Sequence, residues 1–232
     1  MYGITFNNKH SFKDLNLRVI DRDVQTPAKK KILASVPYSN VEYDFSSLYG
    51  KQVYEPRVIE YIFQIDEMIK NRLELLRINV ENWLNIPNEK IKLIDDLTPG
   101  YYFLAECIST NFKNLKVTGE ITVTFNAYPF RIRDEYEGEL LWDNFCFETD
   151  VLQDTSFDVL GSKNINLYNN SAINVSPTVV CTSNMQIIKD HITYNFNPGI
   201  TTSPLFEINS GENNMVIKGS GNIKFKFKSE VL

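Results

Sequence analysis

Histidine is nearly missing: 232 residues hold only His10 and His191. Nucleophilic catalysis needs a nucleophile with a base in reach, most often His. Neither histidine stands in a nucleophile elbow, an HExxH pair or a phosphate-loop context. Glycine is sparse too, and no glycine-rich run opens a helix to cradle a phosphate. Gly219-Ser220-Gly221 reads instead as a turn between two strands. The three cysteines, Cys107, Cys146 and Cys181, are odd in number, far apart and free of any CxxC pair. That argues against a disulfide framework or a zinc site and reads as three small buried hydrophobes. No run reaches the ~18 apolar residues of a membrane span, and the opening MYGITFNNKH carries no apolar secretion signal. These absences predict no catalytic residues, no cofactor, no metal site and no membrane, in a protein made in a reducing cytoplasm. A glycosidase, which needs only two carboxylates, is the enzyme class they leave open.

The net charge is -5 and the pI about 5.2. An acidic balance weighs against nucleic-acid binding as a primary task. The 43% hydrophobic content suffices for one large β domain or two smaller ones. Against this β background one run reads as a long helix, Asp66 to Leu84. Ile69, Leu73, Leu76, Val80 and Trp83 recur at steps of four and three and predict one buried stripe. Asp66 is the expected N-cap, with Glu67 favourable in the first turn and Pro87 beyond the end. The stripe predicts a helix lying on one face of a sheet.

Period-two alternation marks the strands. Ile4-Thr5-Phe6 precedes an Asn7-Asn8 turn. Leu15, Leu17 and Val19 suggest a second strand, and Val41, Tyr43 and Phe45 a third. Gln52 to Ile65 is β-rich, and Pro56 inside it predicts an edge strand or a bulge. Ile91 to Ile94, Tyr101 to Ser109 and Val117 to Tyr128 follow. Asp95-Asp96 beside Pro99-Gly100 is read as a strand end rather than an acid–base pair. Lys29-Lys30-Lys31 is read as a solvated turn. A polar break at Glu135, Glu137, Gly138 and Glu139 lacks the pattern of a calcium loop. It places a boundary near Ile132, with domains 1–131 and 132–232. Beyond it come short strand candidates: Leu140 to Phe147, Ser156 to Leu160, Asn164 to Tyr168, Thr178 to Thr182, Met185 to Lys189, His191 to Phe196, Leu205 to Ile208, Met215 to Lys218 and Asn222 to Phe227. This spacing implies a β-sandwich or jelly roll. In the last strand Ile223, Phe225 and Phe227 face one way. Lys224, Lys226 and Lys228 face the other, as a solvated row that discourages edge pairing. Two sequons, at Asn169 and Asn174, are read as loop residues.

Several segments taken in order resemble the distal tail proteins (Dit) of bacteriophages with long, non-contractile tails. They are the Ile4-Thr5-Phe6-Asn7 hairpin, Pro56-Arg57-Val58-Ile59 entering a long strand, and the helix with Leu73, Leu76 and Trp83. Next come Pro99-Gly100-Tyr101-Tyr102 with Ala105 and Cys107. The run from Gly119 to Phe130 follows, a strand ending in the aromatic-flanked proline of Tyr128-Pro129-Phe130. The closing Gly219-Ser220-Gly221-Asn222-Ile223 and its basic-aromatic strand match the family's second domain. Two departures are Pro37-Tyr38-Ser39-Asn40, where many relatives have a Gly-rich turn, and Asn8 in place of a usual Gly.

The resemblance implies a mainly β fold with one long helix. It would comprise an N-terminal β-sandwich or split-barrel-like domain and a C-terminal galectin-like, jelly-roll β-sandwich. It implies a structural subunit of a tail tip or baseplate, no enzyme, in the virion after assembly in the host cytoplasm. The expected ring is a hexamer that joins the tail tube protein to the tail-associated protein of the adsorption apparatus and leaves a channel for DNA. Its outer domains would carry a receptor-binding protein or touch host saccharides, with no sequence-specific nucleic-acid contact. The alternative reading is a carbohydrate-binding module, with Trp142 and Tyr168 as the candidate aromatic platform.

Overall fold

Alternation decides the first strands. In β6 (Arg57–Ile65) and β9 (Gly119–Ala127) every second residue is buried. The two pair antiparallel, with Ile59 opposite Phe125, Tyr61 opposite Val123 and Phe63 opposite Ile121. Each inward pair adds apolar area to one face, about 2 kcal/mol per large side chain. The computed structural model describes residues 2–38, 40–46, 48, 52–65, 69–114, 119–139, 145 and 150–232. Contacts divide the mainly β chain into two compact units, Met1–Arg131 with Leu232 and Ile132–Val231.

The first unit adds β1 (Ile4–Phe6), β2 (Lys9–His10), β3 (Arg18–Val24), β4 (Leu33–Ser35), β5 (Glu42–Asp44), β7 (Ile91–Asp95) and β8 (Tyr101–Asn114). Its main sheet runs β2-β1-β7-β8-β9-β6-β3, and β4 and β5 form a separate hairpin. β6 is thus an internal strand, not the expected edge. Pro56 sits one residue before the ladder begins, where its missing N–H costs nothing. The main sheet cannot be flat. β3 and β7 stand four places apart, about 19 Å at the usual strand spacing, yet Arg22 Nε reaches Asp95 Oδ2 at 2.6 Å. The sheet therefore curls, and its concave face holds one core cluster.

Two helices belong to this unit. α1 (Ser11–Leu15) ends where the alternation predicts a strand, and the strand expected from Leu15 starts only at Arg18. His10 caps α1: its Nδ1 accepts from Phe12 N and Lys13 N, both at 3.1 Å. Asn16, with φ 53, closes it in the left-handed conformation. α2 (Lys70–Asn85) begins after Ile69, which supplies no side-chain cap. The expected N-cap Asp66 and the first-turn Glu67 lie outside the described residues. The five-residue stripe is corrected as well. Val80, Trp83 and Leu84 are buried and Leu73 and Leu76 are half-buried, but Ile69 is 52% exposed. Trp83 anchors the C-terminal end, its Nε1 donating to Phe6 O at 2.6 Å.

The second unit is built on a long ribbon. β11 (Ser156–Asn169) and β16 (Gly211–Lys226) pair along their length. Four expected short strands are therefore two long ones, and Gly219-Ser220-Gly221 lies inside β16 instead of forming a turn. Along the other edge of β16, β13 (Met185–Lys189) pairs before the glycines and β12 (Thr178–Cys181) after them. β14 (Ile192–Phe196) and β15 (Gly199–Thr202) extend the two halves. Gly219 and Gly221 have φ near +146 and +140. A Cβ on Gly219 would stand 2.9 Å from Asn184 O, so the bend requires glycine. Across it Phe206 touches Phe196 on one side and Phe225 on the other, at 5.5 and 6.3 Å. The bent ribbon thereby folds its halves around a single core. β10 (Arg131–Arg133) and β17 (Glu230–Val231) pair with each other. Leu205 to Ile208 makes only an isolated bridge, Ile208 to Val175, and Leu140 to Phe147 falls mostly outside the described residues.

Candidate functional site

The polar residues of the first unit hold structure together. Asp95 is fully buried and accepts from Arg22 Nε at 2.6 Å, Tyr61 Oη at 2.8 Å and Leu97 N at 2.9 Å. Burial, then the Asp95 charge, pushes the Tyr61 phenol far above its ordinary range. Its neighbour Asp96 accepts from Gly3 N and from His10 Nε2, both at 3.0 Å. Because His10 Nδ1 already accepts two amides, the ring proton sits on Nε2. His10 is thus committed to capping α1 and to Asp96, and has no nucleophile to activate. A second polar group pins the Tyr128-Pro129-Phe130 corner. Arg57, 2% exposed, donates from Nε to Pro129 O at 2.9 Å. The guanidiniums of Arg57 and Arg131 each lie 5.4 Å from the Phe103 ring. Burial and the like charge of Arg131 lower Arg57 to about 10. Tyr54 meets Phe130 edge-on at 5.4 Å and fastens the same corner.

From Tyr54 the chain leads into the hairpin, whose apolar residues the first unit leaves uncovered. Lys30 N donates to Val53 O and Glu55 N to Ala28 O, both at 2.8 Å, forming its stem. Farther out, Leu33 pairs with Asp44 and Ser35 with Glu42. Lys31 Nζ meets Asp44 Oδ2 at 2.6 Å, which holds the Asp44 carboxyl well below its ordinary range. Lys31 is therefore ion-paired rather than simply solvated. Every residue of β4 and β5 is exposed. Ile32, Leu33, Val36, Val41, Tyr43 and Phe45 are each 43% exposed or more. A two-stranded ribbon without a covered face is marginal in water. Apolar side chains gathered this way mark an interaction surface.

The remaining candidates fall apart as a catalytic set. His191 lies in the second unit, in an Asp190-His191 turn with both φ positive, just before β14. Burial pushes the Cys107 thiol up to about 11 and Cys181 upward as well, so neither is a reactive thiolate. Cys146 and Trp142 lie outside the described residues. Tyr168 is 39% exposed on β11, its backbone clasped by Gln153. The row of Lys224, Lys226 and Lys228, at the end of β16 and just past it, is not simply solvated. Lys224 meets Glu139, Lys228 donates to Asp134 O at 2.6 Å, and Lys226 lies 5.8 Å from the Tyr136 ring. The polar break at 134–139 thus covers that row. Arg133 and Asp150 form a buried pair at 2.8 Å near Glu137, whose carboxyl burial pushes upward. Among the described residues no group of three His, Cys, Asp or Glu is placed to hold a metal ion. No described helix is long and apolar enough to cross a membrane.

Neither a family model nor a curated protein matches the sequence. Among solved structures the chain is similar to the crystal structure of SPP1 Dit, described as a paradigm of the hub adsorption apparatus in phages infecting Gram-positive hosts. The TM-score is 0.70 at 10% identity, over 100% of both chains. A further match is the baseplate of phage p2 in its activated conformation with Sr, with TM-score 0.41, 11% identity and coverage of 99% and 97%. The chain has the Dit fold along its whole length.

Proposed function

We propose that this chain is a structural subunit of a bacteriophage tail tip or baseplate, working through interfaces rather than chemistry. The observation that carries the reading is the β4–β5 hairpin, a stem anchored on Phe130 that bears apolar side chains its own unit does not cover. The Dit fold, shared with a hub adsorption protein over both full lengths, supports it. On this reading the first unit (1–131) assembles into a ring, a hexamer by family resemblance, with hairpins packed against neighbouring copies. The ring joins the tail tube protein to the tail-associated protein and leaves a DNA channel. The second unit (132–231) is a galectin-like β-sandwich that projects outward, toward a receptor-binding protein or the host surface. The protein then resides in the virion.

Light scattering coupled to gel filtration tests the assembly, with negative-stain images of the same fractions. Closed rings are expected at high protein concentration. Tyr43→Ser with Phe45→Ser should weaken assembly by at least tenfold in concentration and leave the melting temperature of the monomer unchanged, because both side chains are exposed. A strict monomer at every concentration would overturn the reading.

A further inference from the structure

One long edge of the second unit is open. β11 pairs with β16 along one side, and no other described strand borders it. Phe225 N donates to Thr155 O at 2.9 Å. In the register that follows, odd-numbered residues of β11 exchange bonds with β16, and the N–H and C=O of even-numbered ones point outward. At Tyr168 the outward groups are satisfied. Gln153 accepts from Tyr168 N at 2.9 Å and donates to Tyr168 O at 2.7 Å, as a neighbouring strand would. Asp158 O likewise accepts from Lys163 Nζ at 3.3 Å. Between these two points the outward backbone groups of Leu160, Ser162, Asn164 and Asn166 have no partner among the described residues. All four residues are exposed.

Such an edge is a template for another strand, and folded proteins blunt it with proline, charge or a bulge. From Asn164 to Tyr168 β11 has no proline, no charge and an unbroken register. Its solvent face carries Leu160, Ser162, Asn164, Asn166 and Tyr168. Run antiparallel to itself about Asn164, this row sets Ser162 opposite Asn166 and Asn164 opposite its own copy. At each end Leu160, 90% exposed, comes opposite Tyr168, 39% exposed. Hydroxyl meets amide, amide meets amide and leucine meets an aromatic ring, each a favourable cross-strand pair. Every outward N–H then faces an outward C=O. Neighbouring registers are worse. Centring on Lys163 opposes two lysines, and centring on Ile165 runs Ser162 into Tyr168, whose backbone Gln153 already holds.

We propose that β11 pairs with β11 of a second copy about a two-fold axis at Asn164, joining two sheets edge to edge through residues 162–166. The inference stands apart from the tail-tip reading, which places assembly in the first unit; either contact can form without the other.

Cysteine crosslinking of the full chain tests the register. In a hydrogen-bonded antiparallel pair the Cα atoms lie about 5.5 Å apart, inside the roughly 4.4–6.8 Å that a disulfide spans. Asn164→Cys should therefore give a covalent dimer on mild oxidation, well above the parent with its native cysteines. Ser162→Cys alone should not, because its copies stand about 14 Å apart, and neither should Asn166→Cys alone; a mixture of the two should link. All three positions are exposed, and unchanged melting temperatures will show that the variants keep the fold. Light scattering reads the contact without a crosslink. The hairpin variant Tyr43→Ser with Phe45→Ser, in which ring assembly is weakened, should still dimerise. Adding Asn164→Lys should weaken that dimer at least tenfold in concentration, since like charges then face each other on the axis. Dimers that survive Asn164→Lys unchanged overturn the proposal, as does Ser162→Cys linking as readily as the mixture. A chain that stays single in all these assays leaves the edge to a foreign strand and overturns self-pairing.

Discussion

Replacing Asp95 by alanine tests whether the curl of the first sheet is held as described. Asp95 joins β7 to β3, which are four strands apart, and its carboxylate is completely buried. The substitution strips the acceptor from Arg22 Nε, from Tyr61 Oη and from Leu97 N. Breaking one side of a buried ion pair costs about 3–5 kcal/mol. The Arg22 side chain keeps 23% of its surface in water, which argues for the lower end, about 3 kcal/mol. An orphaned Tyr61 hydroxyl adds roughly 1 kcal/mol. The sum of about 4 kcal/mol corresponds to a fall of roughly 15 °C for a unit of this size. Calorimetry resolves which unit melts. The transition of 1–131 should drop by that amount and that of 132–231 should stay. Asp95→Leu with Arg22→Leu should recover much of the loss, since removing both partners leaves no unpaired charge. A fall below about 3 °C in Asp95→Ala, or a double variant worse than the sum of the singles, would refute the reasoning.

His10→Ala removes the acceptor for two amides of α1 and should cost about 1–2 kcal/mol, read as a lower denaturant midpoint for the first unit. Gly219→Ala should destabilise the second unit by roughly 2–3 kcal/mol, because φ is positive and its Cβ meets Asn184 O; an unchanged melting temperature would count against the bend. Glu137 has its folded pKa raised by burial. An acid raised on folding costs nothing below its unfolded pKa, and stability is lost as pH rises from there through the folded value. Glu137→Gln should thus match the parent near pH 4 and exceed it at pH 7, as paired urea melts will show.

Much of this fold is legible because alternation is a local signal. β6 and β9 could be read from their own residues, and so could the Tyr128-Pro129-Phe130 corner that Arg57 and Tyr54 fasten. What escaped reading depends on distant partners or on very short elements. α1 has five residues, too few for a helical period to register, and its cap is a histidine instead of the usual Ser, Thr, Asp or Asn. A Gly-Ser-Gly triplet signals positive φ without saying whether the chain reverses or merely bends; only the long partner strand β11 decides that. Asp95 lies 73 residues from Arg22, so nothing beside it announces a buried ion pair.

The hairpin shows why the interaction surface escaped as well. Val41, Tyr43 and Phe45 alternate with acidic neighbours as a half-buried strand does, and period two predicts one covered face. In the single chain both faces of β4 and β5 are exposed. Alternation reports that a face is apolar; which molecule covers it is a separate matter. A ribbon of this kind gains little from its own hydrogen bonds, since two strands alone are marginal in water. Tyr43 and Phe45 stack on each other with ring centroids 6.4 Å apart and still remain 51% and 43% exposed. Their apolar area is therefore stabilising only where a second surface removes it from water. That is the pattern expected of a chain whose assembled form, rather than its monomer, completes the burial.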